Sequence, residues 1–322
     1  FKQKTAYEIV SRDWSSDVCS SDLPGAENTY SIEAMMQDGK ALQAGTSHYL
    51  GTHFAQAQNI RYQNDAGELS WCHTTSWGVS TRLIGGVIMT HGDDDGLRLP
   101  PAIAPRQIVL VPMLRGKAED SDILAFCDAL AKELSAQSAF GEFLRVLVDK
   151  KDIKSAEKRW DWVRRGAPLI CEIGPRDVAA GNVTFMRRDN LRDGDKVKSH
   201  ALARDAFVAN AAKLLGEIQN NLYAEAKKRL DSNITSDVKS LGDLAAYFGA
   251  AAESDDEGQE FKGWVRAPWA APTGARMDAI EKELKALKLT IRNAPIAQSA
   301  SLGKCLFTGD PGVQEILIAR SY

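Results

Sequence analysis

The stretch "RQIVLVPML" (residues 106–114) sets the architecture of the middle of this chain, together with "SDILAFCDALAKELSAQ" (residues 121–137). The first is a continuous apolar run of strand length, which is typical of a buried β-strand. The second repeats its apolar residues with a helical period, and Ser121 or Asp122 can cap its first turn. Together they predict a strand followed by a helix that packs on it.

The next residues repeat this rhythm. Strand, helix, strand and strand are predicted in turn, over "FLRVLVD" (143–149), "KSAEKRWDWVRRGAP" (154–168), "LICEIG" (169–174) and "NVTFMRR" (182–188). A β-α-β-α-β-β order predicts a compact α/β domain with a partly parallel sheet.

Both flanks of this domain have a different pattern. Residues 24–100 are rich in Gly, Thr, Ser and His, and "RLIGGVIMTHG" (82–92) predicts a buried helix with a face of small residues. An acidic turn and two prolines in "DDDGLRLPP" (93–101) indicate a boundary. After residue 200 the patterns predict two helices and then two strands, over "AAKLLGEIQNNLYAEAKKRLDSN" (211–233), "VKSLGDLAAYFG" (238–249), "FKGWVRAPW" (261–269) and "VQEILIARSY" (313–322).

These boundaries predict four segments, residues 1–23, 24–101, 102–200 and 201–322. The first has many Ser and Asp residues and no sustained apolar period, so we expect it to be disordered. The overall class is α/β and α+β, with the α/β domain in the third segment and a small α+β domain in the fourth.

Composition is that of an ordinary globular protein, with 44% hydrophobic and 26% charged residues among 322. No run of eighteen apolar residues occurs, and the first residues lack the apolar core of a secretory signal. The five cysteines stand at 19, 72, 127, 171 and 305 without a CxxC pair. This spacing argues against a disulfide framework or a simple zinc site and favours a cytoplasmic location.

Two short motifs carry candidate chemistry. "QAGTSH" (43–48) presents an amide, two hydroxyls and an imidazole, which suits a small polar ligand, although such a loop can equally cap its own backbone. In "SWGVSTR" (76–82), the permanent cation of Arg82 suits phosphate and the indole of Trp77 suits a small apolar ring. A surface ion pair for Arg82 and a core position for Trp77 are the alternatives.

These motifs resemble one family. Residues 31–51, 74–101 and 171–177, the last containing "CEIGPRD", are similar in type, order and spacing to prolyl-tRNA synthetases of the archaeal/eukaryotic-like type, which are class II enzymes. The resemblance runs from about residue 24 to residue 322. It implies the C-terminal part of an antiparallel-sheet catalytic domain, then an α/β anticodon-binding domain, then a small α+β C-terminal domain.

The resemblance also implies roles for single residues, with Arg82 as the catalytic one. The positions implied to bind ATP are Gln43, Thr46, Ser80 and Arg82. The positions implied to bind proline are His48, Ser76, Trp77 and Gly78.

The implied reaction has two steps. Proline attacks the α-phosphorus of ATP to give prolyl-adenylate and pyrophosphate, and a terminal ribose hydroxyl of tRNA(Pro) then attacks the adenylate. Neither step needs a protein nucleophile, so positioning and neutralisation of phosphate charge would supply the catalysis. Mg²⁺ is expected with the ATP phosphates. The full-length parent is expected to be a homodimer, and neither DNA nor a membrane is an expected partner.

The anticodon contacts are expected among charged residues near strand ends of the third segment, since RNA loops are read by Arg, polar edges and stacking. The candidates are Glu172, Arg176, Asp177, Arg187 and Arg188. Surface charge on the rim of the sheet is the alternative.

No metal site is predicted from the residues. The carboxylates of "HGDDD" (91–95) are expected to be solvated, and "WCH" (71–73) lacks the spacing of zinc ligands. Relatives hold zinc in the last segment with several cysteines, whereas this chain has only Cys305 there, so we predict no zinc. The aromatic C-terminus is retained, and Tyr322 is expected to pack back toward the catalytic segment.

Parts of the family pattern are absent. The first two class II signature motifs and a Thr-x-Glu loop for the proline amine should precede residue 31, and only unrelated sequence stands there. "DWSSDVCSSDL" (13–23) matches the translation of a common sequencing adapter, so residues 1–23 are interpreted as an artefact. We therefore expect a C-terminal fragment that is inactive alone. A non-catalytic tRNA-binding paralogue and another synthetase of the same subgroup are the alternatives.

Overall fold

The computed structural model of the protein describes residues 14–16, 25–118, 120–249 and 262–322. The chain divides into two compact units, one built on Val87–Ala226 and the other on residues 10–86 together with Lys227–Tyr322. The predicted segments 24–101 and 201–322 thus contribute to a common unit. None of the helices within the described ranges is both long and apolar enough to cross a bilayer.

Segment 1–23 lies outside the described residues except for Trp14–Ser16. These three residues form a strand that pairs with a strand on each side. The expectation of disorder is therefore wrong for them, because backbone pairing is open to any sequence. The origin of this segment in a sequencing adapter stays a prediction.

The N-terminal part of the chain is mostly antiparallel sheet. Its strands and helices, in chain order, are β1 (Trp14–Ser16), β2 (Asn28–Met35), β3 (Ala41–Gly51), α1 (His53–Ala57), β4 (Arg61–Gln63), β5 (Leu69–Trp71), β6 (Thr74–Gly78) and α2 (Arg82–His91). A tight turn joins β2 to β3, because Asp38 accepts the backbone N–H of Lys40 and Gly39 adopts φ +80°.

Strand β3 contains a β-bulge. Ile32 pairs with Gly45 and Glu33 pairs with Gln43, so Ala44 has no partner on β2. The extra residue shifts the alternation of side chains by one position, because successive strand residues point to opposite faces. Gln43 consequently lies on the same face of the sheet as Thr46.

The unit built on Val87–Ala226 carries the predicted α/β rhythm. Its elements are β7 (Ile108–Pro112), α3 (Asp120–Ser135), β8 (Ser138–Ala139), β9 (Glu142–Phe143), β10 (Val146–Val148), α4 (Ser155–Arg164), β11 (Leu169–Ile173), α5 (Pro175–Ala180), β12 (Asn182–Arg187), a 3-10 turn (Arg188–Asn190), β13 (Arg192–Asp193), β14 (Lys196–Val197), β15 (His200–Ala203) and α6 (Arg204–Ser232).

The main sheet of this unit has the order β10-β7-β11-β12-β15. The first three strands are parallel, and β12 and β15 are antiparallel to their neighbours. The predicted partly parallel sheet is confirmed. Helix α3 starts at Asp120, so Ser121 and Asp122 lie inside its first turn and the predicted caps are wrong. Asp120 itself accepts the backbone N–H groups of Arg115 and Gly116.

Apolar side chains cover both faces of this sheet. On one face, α3 and α6 pack through a cluster that includes Leu130 and Phe207. On the other, α4 packs through Trp162 and Val163. The sheet is therefore buried on both sides, as expected for parallel strands.

The remaining elements are β16 (Ile234–Thr235), α7 (Leu241–Phe248), β17 (Trp264–Trp269), α8 (Ala275–Ala286), β18 (Thr290–Pro295) and β19 (Gln314–Ala319). With the N-terminal strands they form one sheet in the order β16-β17-β19-β18-β1-β2-β3-β6. The Tyr322 hydroxyl donates to Asp38 in the β2–β3 turn, which confirms the predicted return of the C-terminus.

Helix α2 differs from its prediction. The helix forms where expected, but Ile84 is 65% exposed and Ile88 43% exposed. Its contact with the sheet is made through a small residue, since a Cβ added at Gly86 would lie 3.2 Å from the side chain of Leu42. The predicted small-residue face is thus present, whereas full burial of the helix is wrong.

Candidate functional site

Strands β3 and β6 bring most of the predicted ligand-binding residues onto one face. The strands are antiparallel, and their register sets His48 opposite Ser76 and Thr46 opposite Gly78. Cross-strand partners point to the same side of a sheet. The bulge at Ala44 adds Gln43 to this side. We call this surface, formed by Gln43, Thr46, His48, Ser76 and Gly78, the polar face.

Glycines bring the backbones of β3 and β6 close together at this point. A Cβ added at Gly45 would lie 3.3 Å from the carbonyl oxygen of Gly78, and one added at Gly78 would lie 3.5 Å from the Thr46 hydroxyl. A side chain at position 78 would crowd the polar face beside Thr46, whereas Gly45 lies on the opposite face. Gly78 therefore keeps room for a ligand to approach the backbone closely.

Arg82 lies at the start of α2, next to the polar face. Its Nη1 donates to the backbone carbonyl of Gln43 at 3.4 Å, and the residue is exposed. Among the described residues, no carboxylate lies within ion-pair distance of Arg82. Ser80, also predicted to bind the nucleotide, accepts the backbone N–H of Arg82 through its hydroxyl at 3.3 Å. Ser80 therefore stabilises the first turn of α2, and the guanidinium remains accessible to an anion.

Trp77 is not on the polar face. It pairs with Ser47 and alternates with Ser76 and Gly78 along β6, so its indole points to the opposite side of the sheet. The side chain is 78% exposed. The structure therefore separates Trp77 from the other residues predicted to surround the amino acid.

The sequence reasoning missed Thr29. This residue is the partner of His48 in the β2–β3 register, and its hydroxyl lies 2.9 Å from the Nδ1 atom of His48. Thr29 is buried, with 5% exposure. The turn "QDG" (37–39) signals the hairpin, but the bulge at Ala44 prevents this pairing from being found by counting back from the turn.

The predicted anticodon-binding residues form two groups. Glu172, Arg176 and Asp177 lie at the carboxyl end of β11, whereas Arg187 ends the antiparallel strand β12 opposite Leu169. Glu172 pairs with Thr184, three residues from Arg187, which is about 10 Å along the strand. The two groups therefore cannot contact one base together.

At the carboxyl end of β11, two of the three residues have structural partners. Glu172 accepts from Arg159 at 3.2 Å. Asp177 accepts the backbone N–H of Gly174 at 2.9 Å and the Thr184 hydroxyl at 2.6 Å, which caps α5. Arg176 is exposed, and no described residue forms an ion pair with it.

At the other end, both arginines are bound to carboxylates. Arg187 donates to Asp189 at 2.9 Å and to Glu217 at 2.8 Å. Arg188 is 2% exposed and makes a bidentate contact with Asp93, while its Nε donates to the carbonyl of Val163 at 3.0 Å. These charges are neutralised inside the unit.

The expectation of solvated carboxylates after His91 is wrong for two of them. Asp93 binds Arg188, and Asp95 accepts from Arg192 at 2.6 Å. The hydrogen bonds from Arg192 hold the pKa of Asp95 below its usual range, against the smaller opposing effect of burial. These carboxylates therefore fasten residues 93–95 to the α/β sheet.

No group of side chains among the described residues is arranged to bind a metal ion. Within the described ranges, no three His, Cys, Asp or Glu side chains come together in a way that would hold a metal ion. Cys305 is 3% exposed within an apolar cluster. Burial acts to raise the pKa of its thiol, but hydrogen bonds from the Thr308 hydroxyl and from backbone N–H groups outweigh it and lower the pKa.

Comparison with known proteins identifies relatives of this chain. Residues 107–221 match the family described as the anticodon binding domain. The protein named proline--tRNA ligase of Sphingopyxis alaskensis is 57% identical over 301 residues, which are 93% of this chain and 55% of that protein. This chain is similar to proline--tRNA ligases. The relatives of the same name from Novosphingobium aromaticivorans and Bdellovibrio bacteriovorus are 55% and 42% identical, each over 93% of this chain and 57% of its own length.

The chain thus spans a little over half the length of the curated proline--tRNA ligases that it matches. The matched anticodon binding domain covers the five-stranded sheet and most of α6. The polar face lies outside that match, in the region that only the full-length relatives cover.

Proposed function

We propose that this chain supplies the ATP- and proline-binding part and the anticodon-binding part of a proline--tRNA ligase. The observation that carries the proposal is the convergence of Gln43, Thr46, His48 and Ser76 on one face of the β3–β6 sheet, beside the exposed cation of Arg82. The similarity to relatives of that name supports the same conclusion.

In the first step, the proline carboxylate attacks the α-phosphorus of ATP and pyrophosphate leaves. Arg82 would bind the phosphates, because its guanidinium is exposed and permanently charged, and it donates to a backbone carbonyl rather than to a carboxylate among the described residues. Gln43 and Thr46 would bind the nucleotide by hydrogen bonds. The bare backbone at Gly78 would let the ligand lie flat on the strand.

In the second step, a terminal ribose hydroxyl of tRNA(Pro) attacks the carbonyl carbon of prolyl-adenylate, and AMP leaves. His48 and Ser76 would hold the prolyl group, since they face one another across β3 and β6. Trp77 lies on the opposite side of the sheet, so we rank it last among the candidate residues of the pocket.

Mg²⁺ would enter with the ATP phosphates. The described residues contain no cluster of three ligand side chains for it, and we route no step through the ion. Zinc is not part of the proposal, because Cys305 has no second cysteine near it in the sequence.

For the tRNA, the matched anticodon binding domain provides the surface. Arg176 is our first candidate for an anticodon contact, with Glu172 beside it. Arg187 and Arg188 would have to leave their carboxylate partners to reach RNA, so we place them second.

The complete enzyme would be a longer, cytoplasmic homodimer, and residues 1–23 would be translated adapter rather than native sequence. Resequencing of the genomic locus tests the adapter origin. Native codons for "DWSSDVCSSDL" in the genome would refute it.

The function is tested by calorimetry with a sulfamoyl analogue of prolyl-adenylate, with the threonyl analogue as the matched control. We expect this chain to bind the prolyl analogue more tightly than the threonyl analogue, and ATP to compete. Binding of tRNA(Pro) without binding of the prolyl analogue or of ATP would favour the non-catalytic paralogue. The full-length protein should then catalyse proline-dependent pyrophosphate exchange.

A further inference from the structure

The ring of His48 contacts a buried hydroxyl on the neighbouring strand. Thr29 Oγ1 lies 2.9 Å from Nδ1 of His48, and the two residues are direct cross-strand partners. Thr29 is 5% exposed, so water competes poorly for this hydrogen bond. Its β-branched side chain has restricted χ1 rotation, which keeps the hydroxyl in place.

We propose that Thr29 is a positioning residue that fixes the rotamer of the His48 imidazole for the prolyl group. This inference rests on the proposed function of the polar face. Thr29 would not touch the substrate. It would act by occupying Nδ1, which leaves Nε2 as the ring nitrogen that a ligand can reach.

The physical reason lies in the freedom of an imidazole ring. A ring without a partner flips about its χ2 torsion, since terminal ring torsions are broad. The Thr29 hydroxyl can donate to Nδ1 or accept from it, so it binds this nitrogen in either neutral tautomer. It therefore fixes which ring nitrogen faces Thr29 before the ligand arrives.

Among the five histidines of the chain, His73 allows a comparison. His73 Nδ1 lies 2.6 Å from the Tyr49 hydroxyl, but His73 is exposed, and Tyr49, which is half-buried, alternates with His48 to the opposite face of β3. His73 should therefore be insensitive to changes at Thr29. It serves as an internal reference in the same spectrum.

The test is the ¹⁵N imidazole spectrum of the 322-residue chain at about pH 8.5, above the ordinary His pKa of about 6.5. We expect the Nδ1 signal of His48 to have the shift of a hydrogen-bonded nitrogen. Thr29→Val, which keeps the shape but removes the hydroxyl, should move that signal because the hydrogen bond is lost. Thr29→Ser should retain the wild-type pattern. Each signal is assigned by replacing one histidine at a time with Gln.

Ser31→Ala is the matched control. Ser31 lies on the same face of β2, is fully buried, and its hydroxyl has no hydrogen-bond partner among the described residues. Its removal should leave the His48 signals unchanged. An unchanged His48 spectrum in folded Thr29→Val would overturn the proposal, as would an equal shift in Ser31→Ala.

A second measurement connects positioning to binding. Thr29→Val should bind the prolyl-adenylate analogue about fivefold to tenfold more weakly, as expected for one lost hydrogen bond, and Thr29→Ser should stay within about twofold of the wild type. Unchanged affinity in Thr29→Val would remove the link to substrate. If the wild-type chain does not bind the analogue, the proposed function fails, while the imidazole spectrum still decides whether Thr29 positions His48.

Discussion

Arginines are held differently in the two units. Beside the polar face, Arg82 is exposed, and its side chain donates at 3.4 Å to a backbone carbonyl. In the α/β unit, Arg188 is 2% exposed and bound in bidentate fashion by Asp93. The first cation remains available for an anionic ligand, whereas the second is neutralised within the fold. An arginine near a strand end is thus a useful functional candidate only when its carboxylate partners are known.

Removal of the Asp93 carboxylate should have the largest effect. Asp93→Ala leaves the buried guanidinium of Arg188 without its partner, and we expect a loss of about 3 kcal/mol in the free energy of unfolding. We take the low end of the usual range because the Asp93 side chain is 37% exposed. Urea unfolding of the chain measures it. Asp94→Ala, at a neighbouring exposed carboxylate, should change stability by less than about 0.5 kcal/mol. Equal losses in the free energy of unfolding for Asp93→Ala and Asp94→Ala would contradict the assignment of Asp93 as the partner that stabilises the buried Arg188.

Arg82→Ala should weaken ligand binding and leave the stability of the chain almost unchanged. Loss of hydrogen bonds from a charged group to phosphate costs about 1.5–3 kcal/mol, so ATP should bind roughly tenfold to a hundredfold more weakly. Stability should change by less than about 0.5 kcal/mol, because the side chain is exposed. Calorimetric titration with ATP and Mg²⁺ measures the affinity. Arg61→Ala is the control, since Arg61 is exposed and stacks 3.9 Å over the Trp71 ring. A stable Arg82→Ala chain with wild-type ATP affinity would exclude Arg82 as a phosphate ligand.

Arg176→Ala should weaken tRNA(Pro) binding by about fivefold to tenfold, as expected for one RNA contact worth about 1 kcal/mol. The free energy of unfolding should hardly change, because no described residue forms an ion pair with Arg176. Arg187→Ala should instead lower stability through the loss of its contacts with Asp189 and Glu217. Filter binding and urea unfolding on both variants separate the two cases. A larger tRNA defect in Arg187→Ala would reverse our ranking.

The smallest effect should be a pH dependence at Asp95. Hydrogen bonds from Arg192 lower the pKa of Asp95 below its ordinary value of 3.8 in the folded state. The resulting stabilisation is present above that ordinary value and is lost as pH falls through the lower folded value. With Arg192 41% exposed, we expect about 1 kcal/mol or less. Urea unfolding between pH 5 and pH 2.5 should show a flatter acid limb in Asp95→Asn and in Arg192→Gln. An unchanged acid limb in both would contradict the assignment.

Much of the α/β unit could be predicted from the sequence. The runs at Ile108–Pro112 and Leu169–Ile173 are continuous and apolar, and each parallel strand is buried on both faces. Helix α3 repeats its buried residues at helical spacing, so its type was also clear. Local signals of this kind need no knowledge of distant residues.

Long-range pairing explains what the sequence could not show. Asp93 and Arg188 are 95 residues apart, so nothing near either residue reveals the ion pair. The prediction that α2 is buried was wrong for a similar reason, because an apolar run does not show which side of the helix packs against another element. The first residue of α3 was missed because three acidic or hydroxyl residues in succession, Asp120 to Asp122, could each cap the helix.

The candidate site was predictable in composition but not in geometry. "QAGTSH" and "SWGVSTR" contain the residues of the polar face, and their resemblance to a family assigned roles to them. Strand alternation alone would have separated Trp77 from Ser76, had residues 74–78 been read as a strand. The role of Thr29 needed the register of β2 against β3, which the bulge conceals.

That bulge has a consequence for aligning and engineering this chain. Ala44 is a single residue without a partner on β2, yet it keeps Gln43 on the same face of β3 as Thr46 and His48. Deleting it would shorten the protein by one small residue and turn Gln43 away from the polar face while Thr46 and His48 stayed in place. A sequence alignment with its gap one residue away would contain the same error. It would pair residues of one protein that lie on the polar face with residues of another that lie on the opposite face.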